Sequence, residues 1–410
     1  MTETRNYAAV TAAYWGFTLT DGALRMLVLL HFHRLGFSPI DLAFLFLLYE
    51  AMGIVTNFLG GWIGARYGLR LTLYAGLAIQ VAALIMLSLI DPAWALPVSV
   101  AYVMAAQALS GIAKDLTKMS SKSAVKLVVK EDSGGGHSLL FHWVALLTGS
   151  KNALKGVGFF LGGFLLEVLG FQPALWLMAA CLAAVLAAAL GFVRADLGKA
   201  KTAIARRDLF AKTRAINLLS FARVFLFASR DVWFVVGVPV FLYEKLGWSF
   251  DQVGAFMAAW VVGYGIVQAA APRFSGRGGG PSGATVAARW WGVVLALLPA
   301  MIVWGLAQQG LPGTAVLIAG LFVFGAVFAV NSSLHSYLIV AFSDHDKVAL
   351  NVGFYYMANA IGRFAGTLLS GLVYQLAGLE ACLLVSSGMV AVAAATVFLI
   401  PLDRKISPVL

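Results

Sequence analysis

The sequence predicts an all-α membrane protein, and three observations carry that expectation. Of 410 residues, 61% are hydrophobic and only 11% charged, against about 45–50% and 25% in soluble domains. Runs of about 20 apolar residues recur along the chain, long enough for helices to cross a bilayer and lacking the alternation of barrel strands. Third, the basic residues mostly border these runs, so the net charge of +11 reads as membrane flanks and not as a nucleic-acid surface.

Twelve membrane helices are expected, over residues 7–32, 38–64, 70–90, 97–120, 139–169, 173–193, 214–242, 250–272, 289–306, 312–340, 347–376 and 379–401. Apolar character from Tyr7 to Phe32 outlasts a signal-peptide core, so the first segment is expected to be retained. His31 and His33 end it. Connections are short except at 121–138, with its Gly134-Gly135-Gly136 tip, and at 194–213. Cys181 and Cys382 lie in Leu/Ala/Val-rich runs and read as small buried hydrophobes. The six histidines are scattered, so neither metal nor cofactor is expected.

With the N-terminus in the cytoplasm, nineteen of the 29 basic residues, from Arg5 to Lys405, fall on the cytoplasmic side, and only Arg34 and Lys245 on the other. The positive-inside rule therefore places both termini on the cytoplasmic side, and a bacterial inner membrane is the expected location. Eight basic residues remain within the helices: Arg25, Lys114, Lys118, Lys151, Lys155, Arg223, Arg230 and Arg363. Away from the segment ends only four acids accompany them, Asp21, Glu50, Asp115 and Asp231.

That surplus shapes the functional reading. Lys151 and Lys155, with Asn152 beside them, fall about 18–24 Å from the start of the fifth segment, too deep to snorkel easily. They are i, i+4 neighbours on one face. Charges at that depth normally face a bundle interior or a watery cavity, so an anion is the expected partner. Tyr355, Asn359 and Arg363 form a second i, i+4, i+8 stripe, and Arg223 and Arg230 share a face of the seventh segment. Lys114 and Lys118 could line a cytoplasmic mouth. A plainer reading makes Asp21 with Arg25, and Arg230 with Asp231, compensated pairs. The four lysines and arginines Lys151, Lys155, Arg223 and Arg363 would still outnumber the acids left. Arginine forks and mobile lysines suit phosphate and carboxylate. Asp21, Asp231 and Glu50 are candidates for carrying a coupling proton.

The chain also repeats itself. L-G-F-S at Leu35–Ser38 returns as L-G-W-S at Leu246–Ser249, and a shift of 208 places Lys155 on Arg363, Gly158 on Gly366, Gly163 on Gly371 and Gly170 on Gly378. The expected organisation is two six-helix halves, 1–193 and 214–410, related by pseudo-two-fold symmetry and joined by a basic linker at 194–213. This arrangement resembles the major facilitator transporters, whose substrate site lies near the membrane midplane. G-G-W-I-G-A-R-Y-G-L-R at 60–70 resembles that group's gating signature through Gly61, Arg66, Gly68 and Arg70, with Ala65 where an acid is usual. Gly149, Gly158 and Gly162 have the spacing of an exporter motif, although close helix packing explains them equally well.

Four longer runs, Thr18–His33, Ala108–Ser120, Leu147–Gly163 and Ser229–Val236, resemble the ArsJ-type organoarsenical efflux permeases of that superfamily. The resemblance implies export of 1-arseno-3-phosphoglycerate by alternating access, with glyceraldehyde-3-phosphate dehydrogenase as functional partner and arsenate resistance as the outcome. Two other readings stay open: a carrier of another organic phosphate or organic anion on the same fold, and a membrane-embedded enzyme or sensor that binds an anion without moving it.

Overall fold

The computed structural model describes residues 2–67, 69–91, 93–124, 136–192, 213–271, 280–343 and 348–402, with side chains for all of these except 2–7, 60–67, 69, 119, 121–124, 136–149 and 348–350. The helices are α1 (Thr2–Arg34), α2 (Pro39–Tyr67), α3 (Leu69–Ser88), α4 (Leu96–Ala124), α5 (Gly136–Leu169) and α6 (Phe171–Phe192), then α7 (Arg214–Phe234), α8 (Gly237–Glu244), α9 (Phe250–Ala270), α10 (Gly280–Leu306), α11 (Gly313–Ala341) and α12 (Val348–Phe398). Ten spans among the described residues are long and apolar enough to cross a membrane, with α7 and α8 counted as one and α12 as one. The long α1 is diluted by buried polar residues, including Thr11, Thr18, Thr20, Asp21 and Arg25.

Differences from the expected segments have local causes. The seventh segment breaks at Val235–Val236. Pro239 follows, and its ring excludes the carbonyl four residues back while supplying no N–H of its own. The freed N–H groups of Val236 and Gly237 both donate to Ser370 Oγ, at 3.1 and 3.2 Å, which makes irregular backbone tolerable at membrane depth. The eleventh and twelfth segments run together as α12, broken only by Gly378 at φ 76. The ninth starts at Gly280 instead of residue 289. Pro281 suits the first turn, and Thr285 Oγ1 caps back to its carbonyl at 2.8 Å. The glycines there had masked that start.

The repeated L-G-aromatic-S turns out to be a helix stop followed by a helix start. Phe37 N–H reaches Phe32 O and Gly36 N–H reaches His33 O, with Gly36 at φ 88, the Schellman pattern. Ser38 and Asp41 then form a capping box: the serine hydroxyl accepts from Asp41 N–H, and the carboxylate accepts from Ser38 N–H. At the second copy Gly247 has φ 67, and Ser249 N–H donates to Gln252 Oε1 at 3.0 Å.

The chain gathers into two compact units, one of residues 1–37, 44–204 and 242–262, the other of 38–43, 205–241 and 263–410. In the first, α1 packs against α4, α5 and α6, and α3 against α4 and α6. In the second, α12 packs against α7, α10 and α11. The glycines paired by the shift of 208 do equivalent work in the two. A Cβ on Gly158 would sit 2.5 Å from Leu19 O of α1, and one on Gly366 would sit 2.8 Å from Ala228 O of α7. Gly163 lies against the carbonyl of Phe250 where α9 begins, and Gly371 against that of Pro39 where α2 begins. Gly170 and Gly378 both have positive φ, at 80° and 76°. Gly162, pressed on Ala23 O, likewise serves close packing of α5 on α1.

These contacts are backbone to backbone, so no side-chain rotation relieves an added methyl group. Gly158→Val and Gly366→Val should each lower the thermal unfolding midpoint of the detergent-purified protein and reduce the folded yield, whereas Gly388→Ala, where a Cβ meets nothing, should not. Ser370→Ala should destabilise by about 1–3 kcal/mol, because two buried N–H donors lose their acceptor.

Candidate functional site

The predicted charged residues fall into four groups, three in the first unit and one in the second. At the α1–α2 contact, Arg25 pairs with Glu50, both almost wholly buried. Tyr49 donates its hydroxyl to Asp21 Oδ1 at 2.6 Å. The i, i+4 pairing of Asp21 with Arg25 is thus replaced by partners from α2, since an arginine that can reach a carboxylate across a helix interface gains a direct ion pair. The Tyr49 ring also holds two cations, with Arg25 Cζ 4.3 Å and Lys114 Nζ 4.0 Å from its centroid. Sequence reading had given Tyr49 no part.

Further along α2 and α4, Asp115 accepts from Thr56 Oγ1 at 2.5 Å and from Asn57 Nδ2 at 3.3 Å. Lys118 Nζ donates to Asn57 Oδ1 at 2.9 Å and lies 3.5 Å from Asp115. On α5, Lys151, Asn152 and Lys155 are half-buried, and Lys155 Nζ stands 5.6 Å from the Phe159 ring centroid. Trp15 Nε1 donates to Ser150 Oγ at 3.0 Å, tying the middle of α5 to α1. Of the gating signature, Arg70 Nε reaches Tyr74 OH at 3.3 Å, and that hydroxyl donates to Ala189 O at 3.1 Å. Gly61 and Arg66 lie in α2 with side chains that are not described, and Gly68 lies outside the described residues.

The second unit gathers the rest on α7 and α12. The stripe Tyr355, Asn359, Arg363 faces α7 along its length. Arg363 Nε lies 3.3 Å from Asp231 Oδ2, while Arg230 Nε donates to Asp231 Oδ1 at 2.6 Å. One carboxylate, 1% exposed on its side chain, therefore serves two guanidinium groups. Arg223 stands apart from this sharing. Its Nε donates to Asn359 Oδ1 at 3.2 Å, and its Nη1 to Ser332 Oγ at 3.0 Å and Ser332 O at 3.3 Å. Its guanidinium lies 4.0 Å from the Phe227 ring centroid and 4.7 Å from that of Tyr355.

Arg223 is 4% exposed, and among the described residues no carboxylate lies within ion-pair distance of it. Every group it touches is neutral. Neutral dipoles and aromatic faces hold a guanidinium in place without cancelling its charge, and its Nη2 donates to no described group. A buried guanidinium with Nη2 not engaged by any described group can donate from that nitrogen to an oxyanion such as phosphate or carboxylate.

A bundle of membrane-spanning helices with charged clusters at depth and an unmatched cation defines a polytopic membrane transporter. Comparison with known proteins gives the family. Residues 7–279 and 219–409 match the model of the Major Facilitator Superfamily, and the chain belongs to it. Similar solved structures include a POT family transporter in complex with a thioalcohol conjugated peptide, at TM-score 0.74 and 13% identity over 95% of this chain and 94% of that one. The nucleoside transporter NupG gives TM-score 0.74 and 15% identity over 97% and 99%. The human organic anion transporter MFSD10 gives 0.65 and 18% over 96% and 99%. Curated protein sequences give no match. At these identities the likeness shows the major facilitator fold, and the protein is a transporter and not an enzyme.

Removing the shared carboxylate should be costly. Asp231→Asn leaves two partly buried arginines facing a neutral amide, and a loss of about 3–5 kcal/mol is expected, read as a lowered unfolding midpoint. Asp21→Asn, which keeps an oxygen for Tyr49, should lose far less.

Proposed function

We propose that the protein exports a small, multiply charged organic anion across the cytoplasmic membrane by alternating access, with 1-arseno-3-phosphoglycerate as substrate and arsenate resistance as the physiological outcome. The observation that carries the reading is Arg223, a buried guanidinium held by Asn359, Ser332, Phe227 and Tyr355 with no carboxylate among its described partners. Such a charge is expensive in hydrocarbon unless a ligand completes it. Lys151 and Lys155, with Asn152, in the first unit and the Asp231-bridged Arg230 and Arg363 in the second are further proposed anion-binding groups, and Arg25, Lys114 and Lys118 supply additional positive charge. The sequence resemblance supplies the arsenical and the dehydrogenase that would make it. The two six-helix halves with cytoplasmic termini belong to the same proposal, as do the coupling acids Asp21, Asp231 and Glu50.

A broader reading is transport of another organic phosphate or organic anion, and the likeness to MFSD10, described as an organic anion transporter, favours it. Everted vesicles separate the two. Uptake of a labelled arsenate adduct formed in place by glyceraldehyde-3-phosphate dehydrogenase, resisting competition by sugar phosphates, supports the narrow substrate.

Arg223→Gln should remove arsenate resistance from cells that carry the protein with such a dehydrogenase, and reduce vesicle uptake by about 10–100-fold, the worth of a charged hydrogen-bonding contact. Membrane insertion, read by a C-terminal fluorescent fusion, should match wild type. Wild-type resistance in the variant would overturn the assignment.

A further inference from the structure

Helices α1, α2 and α4 of the first unit meet at one side chain, Tyr49, midway along the apolar span Pro39–Leu59 of α2 and 1% exposed. From α1, Asp21 accepts the phenol O–H at 2.6 Å. Arg25, paired with Glu50, also comes from α1, with its Cζ 4.3 Å from the ring centroid. From α4, the Lys114 ammonium stands 4.0 Å from the same centroid. A glycine prepares the approach of α4. A Cβ on Gly111 would sit 2.5 Å from Tyr49 O and 3.1 Å from its Cα, so the two backbones meet only because no side chain stands between them. Lys114 follows three residues later, on the same face of α4.

A ring and a carboxylate hold a cation by different means. The carboxylate cancels the charge that it binds. The ring attracts it through a quadrupole and has no net charge to set against it. That attraction is strongest where water is excluded, as it is around Tyr49. Arg223 of the second unit is steadied in the same manner, by the rings of Phe227 and Tyr355. Lysine differs from arginine in carrying a point charge on a flexible four-carbon stem, whose freedom is given up when the ammonium meets a ligand. A ring that holds the ammonium beforehand removes that cost from binding.

We infer that Tyr49 is a positioning residue for anion binding in the first unit: its face fixes the Lys114 ammonium ahead of the ligand, and its hydroxyl, held by Asp21, sets the plane of the ring. It touches no anion itself. Arg25 shares the ring and is also fixed by Glu50, so its placement depends less on the aromatic face. The inference rests on the reading of Lys114 as an anion-binding group.

The test weakens the face of the ring at nearly constant shape. Phenylalanine and its mono-, di- and trifluorinated forms, placed at position 49 by nonsense suppression, differ little in size, while each fluorine withdraws electron density from the face. Binding of 3-phosphoglycerate to the purified protein in nanodiscs is measured by calorimetry. The dissociation constant should rise in order along the series, by about 3–10-fold from phenylalanine to the trifluorinated ring, the cost of ordering one long side chain. In Lys114→Gln, which should bind more weakly throughout, the same series should be flat. If Tyr49→Phe does not fold, a ring-fluorinated tyrosine against tyrosine gives the comparison with the hydroxyl kept. A flat series in the protein that keeps Lys114, with binding weakened by Lys114→Gln, overturns the positioning and leaves the lysine's part standing. A slope that persists in Lys114→Gln assigns the effect to Arg25 and overturns the positioning likewise. Binding that is absent, or unchanged by Lys114→Gln, overturns both.

Discussion

The arrangement in the second unit depends on one constraint: a single buried carboxylate, Asp231, is shared by two arginines. Arg230 comes from the adjacent position on α7 and Arg363 from α12, so the pair of helices is pinned by electrostatics as well as by the glycine contact of Gly366 on Ala228. Shared in this way, the carboxylate cannot also neutralise Arg223, two turns away on the same face of α7. The third arginine is instead steadied by an amide, a hydroxyl, a carbonyl and two aromatic rings. Position without neutralisation is what a recognition site for an anion requires, because preorganised donors need no rearrangement when the ligand arrives.

The first unit solves a similar problem differently. There Arg25 has Glu50 to itself, Asp21 is engaged by a phenol, and Lys118 sits against Asp115. Charge is more nearly balanced at these α1, α2 and α4 contacts. The further positive charge comes from the flexible lysines of α5. Arginine forks held from several sides and lysines on long stems are different tools. The first fixes the orientation of a planar oxyanion group; the second follows a charge that moves.

Much of the fold was legible because hydropathy and length dictate membrane helices and because the internal repeat is written in glycines. Gly158 with Gly366, Gly163 with Gly371 and Gly170 with Gly378 occupy equivalent backbone situations in the two units. The stripe of Tyr355, Asn359 and Arg363 was legible too, since four-residue spacing alone places its members on one face. The break at Val235 could have been read from Gly237-Val238-Pro239 but was hidden within an unbroken apolar run. The partners of the charges were not legible. Spacing along one helix suggested Asp21 for Arg25, yet Glu50 arrives from α2, and sequence gives no angle between helices. Tyr49 and Ser332 looked like ordinary helix residues, because what distinguishes each is the neighbour that tertiary packing supplies.

A carrier must bind its cargo and then let it go, so a site that neutralised its ligand completely would be a trap. Asp231 is relevant here beyond its structural part. With one carboxylate already against two guanidinium groups, an anion bound there as proposed would compete with Asp231 for Arg230 and Arg363, and its departure would return them to it. In that proposal the carboxylate would act as a resident substitute ligand, bounding affinity from above and sparing the empty carrier bare charges in the membrane. Arg223 has no such substitute.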